Sequence, residues 1–318
     1  MGPTPVSETI QMNTRAIVML ILALGPAAGV YLSGHSEPGH YLGLGALLAI
    51  QLGLLARPVA AFAFLLPLVY AAAAITAQST DGVVALIVAI AAAVGASSSQ
   101  GFHRGLAALL AAALMGSFEA NQAAEVVQRA AWIAAGSAYG YLLTITVLRR
   151  VSLEARPVDA PTALGYAALL ACLALIAWFA ARIGGFPHAW WLPLVVAVVS
   201  DPQLRVSTAR SLLRLAAALG GSLLLVGLVD AFDEPAVRGL LLVIALFAAF
   251  AGLRRHPWVV TIMFTPVLVL LSSHGAPHEP PIDYLLATLP AFLAVAAASC
   301  LGHFVLWTLR SDGRRVTA

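Results

Sequence analysis

Apolar residues along this chain run in blocks rather than in alternation. Twelve such blocks fall at 16–32, 41–55, 58–77, 82–97, 104–118, 130–148, 162–183, 187–200, 208–229, 236–253, 257–273 and 284–309. Long blocks with few or no charges read as membrane-spanning helices, because a helix satisfies its own backbone donors and acceptors without water. Glycine and proline sit inside the blocks, as they do in membrane helices. The pattern predicts an all-α polytopic membrane protein with about twelve transmembrane helices. Several blocks, 41–55 and 187–200 among them, are shorter than a straight span needs. Such a block must tilt, extend into its polar flanks, or stop inside the membrane as an incomplete crossing.

The polar positions between the blocks give the orientation. Arg15, Arg57, Arg104, Arg149, Arg150, Arg156, Arg205, Arg210, Arg214, Arg254, Arg255, Arg310, Arg314 and Arg315 fall on one side of this threading. Arg129, Arg182 and Arg238 fall on the other. The arginine-rich side is expected in the cytoplasm, with both termini. Arg15 followed by the apolar run 16–32 also resembles a secretory leader, but the threading needs this block as a span.

The two halves resemble each other. A shift of 148 residues places Thr14 on Thr162, His40 on His188 and Arg57 on Arg205, and His103 later falls near His256. Six spans per half is an even number, so the repeats are parallel. The expected organisation is a first six-helix repeat over 1–150, a short cytoplasmic linker over 151–161, and a second six-helix repeat over 162–318.

Composition agrees and closes off other classes. Hydrophobic residues make up 61% of the chain and charged residues 10%, against roughly 25% charged in a soluble domain. Every basic residue is arginine, and the net charge of +3 is too small and scattered for nucleic-acid binding. Cys172 and Cys300 lie in apolar blocks and read as packed thiols rather than a disulfide. No Gly-x-x-x-x-Gly-Lys-Ser/Thr loop, Gly-x-Ser-x-Gly or His-Glu-x-x-His motif occurs, so neither ATP-driven nor hydrolytic chemistry has a warrant. No span carries a plausible catalytic set, and the chain is not expected to be an enzyme.

Candidate chemistry clusters where the short blocks end. Arg57 and Arg205 lie just beyond 41–55 and 187–200, which occupy matching positions of the two repeats. Short segments so paired are the sequence pointer to a transporter's binding site. A guanidinium takes a carboxylate through two parallel hydrogen bonds, which suits an anionic cargo. The same two arginines also obey the positive-inside pattern, so surface anchoring is their alternative role. Among histidines, His303 alone lies well inside a block. Its ordinary pKa near 6.5 suits a proton relay; a hydrogen bond to a neighbouring helix is the plainer role. His35, Glu37, His40, His188, His274, His278, Glu279 and Asp283 fall in the opposite loops. They read as solvated polarity rather than a metal site, and no metal or other cofactor is expected.

The stretch FPHAWWLPLVVAVVSDPQLR at 186–205 continues through Ser207, Arg210 and Arg214 to Gly220 and Gly221. A short span opening on tryptophan, a polar turn with proline, then an arginine-bearing helix running into paired glycines resembles the fusaric acid resistance family, also called the aromatic acid exporter superfamily. The resemblance is clearest over 186–273. It implies a bacterial inner-membrane permease exporting small, often aromatic, organic acids, often beside a periplasmic adaptor protein. Carried over by position, Trp190, Pro193, Asp201, Arg210, Arg214, Gly220 and Gly221 are its motif residues here. Many relatives have a sizeable soluble region between or after the membrane halves, and none is expected here.

Each motif residue also has a plainer role. Trp190 and Trp191 fit an interfacial belt as well as a stacking surface for cargo. Arg210 and Arg214, one turn apart, can snorkel to the surface, with Asp201 as an ion-pair partner. Gly220 and Gly221 suit close helix packing. The resulting expectation is a permease for small organic anions, set in the lipid bilayer and working by alternating access, with proton coupling and assembly as a homo-oligomer left open. The rivals are an organic-anion channel, since plant malate channels belong to a similar superfamily, and a non-transporting assembly subunit of an envelope complex.

Overall fold

The computed structural model describes residues 35–118, 122–148 and 157–184 continuously, with isolated positions between 25 and 33 and between 190 and 220. Six helices account for most of these residues. They are α1 (Ser36–Leu55), α2 (Leu66–Thr76, entered through a 3-10 helix at Arg57–Leu65), α3 (Thr80–Ala96), α4 (His103–Gly116), α5 (Ala123–Thr146) and α6 (Ala160–Gly184). Among the described residues no strand occurs. The helices match the blocks read from sequence between 41 and 183. The first block, the blocks after 187 and the repeat relation lie largely outside the described residues.

Local chemistry explains where each helix starts. Pro38 falls in the first turn of α1, where its missing N–H has no intrahelical partner to lose, and Glu37 there complements the helix dipole. Ser79 caps α3 by accepting from the Gly82 N–H at 3.3 Å, with Asp81 in the first turn. The Ala-Ala-Glu-Val-Val-Gln-Arg opening of α5 is rich in helix formers.

Two expected boundaries are corrected. Block 41–55 is not an incomplete crossing: α1 reaches back to Ser36 and has 20 residues, about 30 Å of helix. The polar flank supplies the missing length. Block 130–148 starts seven residues early, at Ala123, because its polar first turns stay helical. The short element is instead α4, with 14 residues, nearly all of them buried.

The core forms around α1 and α4. Tyr41, Leu52, Tyr70, Leu110, Leu114, Leu170 and Trp178 are among its largest fully buried side chains. Parallel helices α1 and α5 pack most closely. A Cβ on Gly136 would overlap the Leu42 carbonyl, and one on Gly140 would overlap the Ala46 carbonyl. Small residues that let two backbones touch are the usual basis of helix association in lipid. The α3–α6 pair meets likewise at Gly95 and Ala167, and α2–α4 at Tyr70 and Gly116.

The outward faces of α2, α3 and α6 stay apolar. Leu68, Ile75, Val88, Leu164, Ile176, Phe179 and Ile183 are all exposed. Keeping one such side chain in water forgoes about 1.5–3 kcal/mol, so this surface belongs in lipid. Among the described residues, four helical segments, Glu37–Leu55, Arg57–Thr76, Thr80–Gln100 and Ala160–Gly184, are long and apolar enough to cross a membrane. Cys172 lies on the exposed face of α6, not in packing as expected, because it shares a stripe with Leu164 and Ile176. Several hydroxyls bond back to the preceding turn: Thr76 donates to Ala72, Thr144 to Gly140 and Ser117 to Leu114, each at 2.8 Å.

Candidate functional site

The described bundle has two chemically different ends, about one α1 length apart. At the first, α1 breaks. Ala56 takes φ −144° and ψ 55°, while its N–H still bonds the Leu52 carbonyl. The chain leaves the helical path at Ala56 and resumes from Arg57 as a 3-10 helix, with Pro58 in its first turn, where a missing N–H has no partner to lose. Arg57 is exposed there.

The start of α4 abuts this break. A Cβ on Gly105 would overlap the Ala56 methyl, so only glycine permits the approach. Gln51 Nε2 donates to the Arg104 carbonyl at 3.1 Å, pinning the first turn of α4 to α1. Arg104 is half-buried. The Ser97–Gln100 turn leads in, closed by Gly101 at φ 80°, a conformation that costs most side chains dearly. His103, only 4% exposed, sets its ring edge-on to Tyr166 of α6, 5.8 Å between centroids. The Ser98 carbonyl accepts from the Val158 N–H of the connector at 3.1 Å. The first turn of α4 thus touches α1 on one side and the beginning of the second half on the other.

The opposite end is an ion-paired one. Arg129 donates from Nε to Glu37 Oε1 at 2.8 Å, with Nη2 also 2.8 Å from that oxygen, and Glu125 Oε2 lies 3.9 Å away. Its guanidinium also sits 5.4 Å from the Tyr41 ring centre. Arg182 sits 5.1 Å from the Trp178 ring, whose Nε1–H donates to Ser117 Oγ at 3.0 Å. Arg129 and Arg182, which break the arginine asymmetry, are therefore each held by specific partners. Glu37 and His40 were expected in a solvated loop. Both lie in α1, and His40 is buried, 5.1 Å edge-on from the Tyr41 ring, because the helix starts earlier than the apolar block.

Of the residues singled out from sequence, Arg57 is described and lies at the arginine end. Trp190 is partly buried against the core, and Pro193 is helical and buried. Gly220 is helical and exposed, and a Cβ there would meet open space. Trp191, Asp201, Arg205, Arg210, Arg214, Gly221 and His303 lie outside the described residues. Sequence reasoning counted Arg104 only as a topology marker and passed over Gln51 and Tyr166. The signal was the Gly-Phe-His-Arg-Gly run at 101–105, whose glycines allow the turn and the close approach.

Residues 176–307, about two-fifths of the chain, match the family model described as fusaric acid resistance protein-like. Comparison with curated proteins and with solved structures gives no match.

Proposed function

We propose, from the premise that this chain carries a fusaric acid resistance protein-like domain in its second half, that it is a permease exporting small organic anions, aromatic acids among them. The family match over 176–307 carries the reading. The described half supports it with apolar outward faces and with an arginine end suited to carboxylates. On the positive-inside rule that end faces the cytoplasm, in the cell inner membrane, where cargo for export would arrive. Arg57 then receives cargo at the cytoplasmic mouth, and Arg205 plays the matching part in the second repeat. Trp190, Trp191, Pro193, Asp201, Arg210 and Arg214 border the same pathway, with His303 a candidate proton relay. A periplasmic adaptor protein would complete the export route.

The test is transport by the purified chain in sealed vesicles, using a panel of aromatic and aliphatic acids under imposed pH gradients. Accumulation against the acid's gradient, driven by the proton gradient, is the expected result. Currents that reverse at the anion's equilibrium potential would make the protein a channel. No movement of any acid would make it an assembly subunit.

A further inference from the structure

The two arginines at the ion-paired end of the bundle are compensated differently. Arg129 has the Glu37 carboxylate at 2.8 Å. Arg182, in the last turn of α6, has the Trp178 ring at 5.1 Å, and among the described residues it meets no carboxylate. An indole face attracts a cation but carries no net charge, and the α6 C-terminus offsets only part of one. The support beneath the guanidinium is firm. Trp178 is fully buried, its Nε1–H donates to Ser117 Oγ at 3.0 Å, and Phe179 meets its ring edge-on at 4.9 Å between centroids. Arg182 itself is exposed, as are Cys172, Ile176, Phe179 and Ile183. These four recur every three or four residues, so they share one helix face. A fixed positive charge thus stands at the head of an apolar strip.

We propose that Arg182 holds the phosphate of an anionic phospholipid such as phosphatidylglycerol, with an acyl chain laid along the exposed face of α6. The site stands apart from the export reading, since it uses neither Arg57 nor the cargo. Length supports this occupant. Arg182 and Cys172 are separated by about 15 Å of helix, half of the roughly 30 Å hydrocarbon core. A phosphate on the guanidinium therefore lays one chain of one leaflet against this strip. A small aromatic acid would cover its first turn only and leave Ile176 and Cys172 bare. Charge narrows the choice further. A phosphatidylcholine phosphate has an ammonium in its own headgroup, whereas a phosphatidylglycerol phosphate has none and takes its cation from the protein. The planar guanidinium binds phosphate oxygens through paired hydrogen bonds.

The experiment reads lipid preference at Cys172, which lies exposed on the strip. The full chain with Cys300→Ser carries a bimane fluorophore on Cys172. It is reconstituted in phosphatidylcholine vesicles with rising fractions of brominated phosphatidylglycerol or, in parallel, of brominated phosphatidylcholine. Quenching is expected to reach its midpoint at about a fivefold lower fraction of phosphatidylglycerol, the advantage one interfacial arginine gives an anionic lipid. Arg182→Gln should bring the two midpoints together. Arg182→Lys, which keeps the charge without the planar fork, should retain part of the difference. Arg129→Gln, where Glu37 already compensates the charge, should retain all of it. Equal midpoints in wild type, or a difference that Arg182→Gln leaves in place, overturn the proposal. So does a difference lost equally in Arg129→Gln, which would report overall charge rather than a site. Quenching by brominated phosphatidylglycerol that added benzoate reverses in wild type would make Arg182 a cargo residue, and overturns the proposal as well.

Discussion

At one end of α1, Arg129 is gripped by Glu37 and lies over the Tyr41 ring. At the other, Arg57 and Arg104 adjoin the residues of a close helix contact, Ala56 and Gly105. The Glu37 end uses an ion pair to fasten α5 to α1 where the two helices outrun their apolar blocks. The Arg57 end fastens its helices through the Gly105 contact and a Gln51 amide. A residue that stabilises the bundle can therefore be told from one that meets cargo by which measurement its loss disturbs.

The largest effect is expected along the α1–α5 seam that joins the two ends. Gly136→Ala drives a methyl into the Leu42 carbonyl and should cost about 2 kcal/mol or more, read as a lowered unfolding temperature in detergent. Gly165→Ala is the control: its Cβ meets open space, and the unfolding temperature should hold or rise slightly. A seam that tolerates alanine as Gly165 does would mean the two helices are not in backbone contact. Next comes Arg57→Gln, expected to weaken acid binding about tenfold, roughly 1.4 kcal/mol, with unfolding temperature unchanged. If stability fell and binding held, Arg57 would belong with Arg129 as a fastening residue.

Smaller changes are expected at the ion-paired end. Trp178→Phe removes the donor to Ser117 Oγ and weakens the platform under Arg182, for about 1 kcal/mol of stability. Arg129→Gln should cost less, about 0.5–1 kcal/mol, because Glu37 is half exposed and water screens the pair. That loss should shrink at high salt, and acid binding should stay as in wild type. Acid binding weakened by Arg129→Gln would erase the distinction between the ends.

The helices from α1 to α6 were legible in sequence because long apolar runs have one solution in lipid, and arginine placement sets their alternation. Boundaries moved where polar residues continue a helix past its apolar block, as Glu37 and Glu125 do. Hydropathy records the solvent around a residue, not the hydrogen bonding of its backbone. Of the candidate site, Arg57 could be found by its position after a short block. Arg104 could not, since the approach of α4 to α1 joins residues about fifty apart in the chain, through a contact only glycine allows.

By itself, the order of residues determined the class of solvent, the helical state and the sidedness of charge, because each depends on local composition summed over a span. Tertiary structure alone decided which helices touch, that α4 rather than 41–55 is the short buried element, and that Arg57 and Arg104 share a neighbourhood. Those outcomes depend on where a missing side chain lets two backbones meet, and that is a property of the pair, not of either segment.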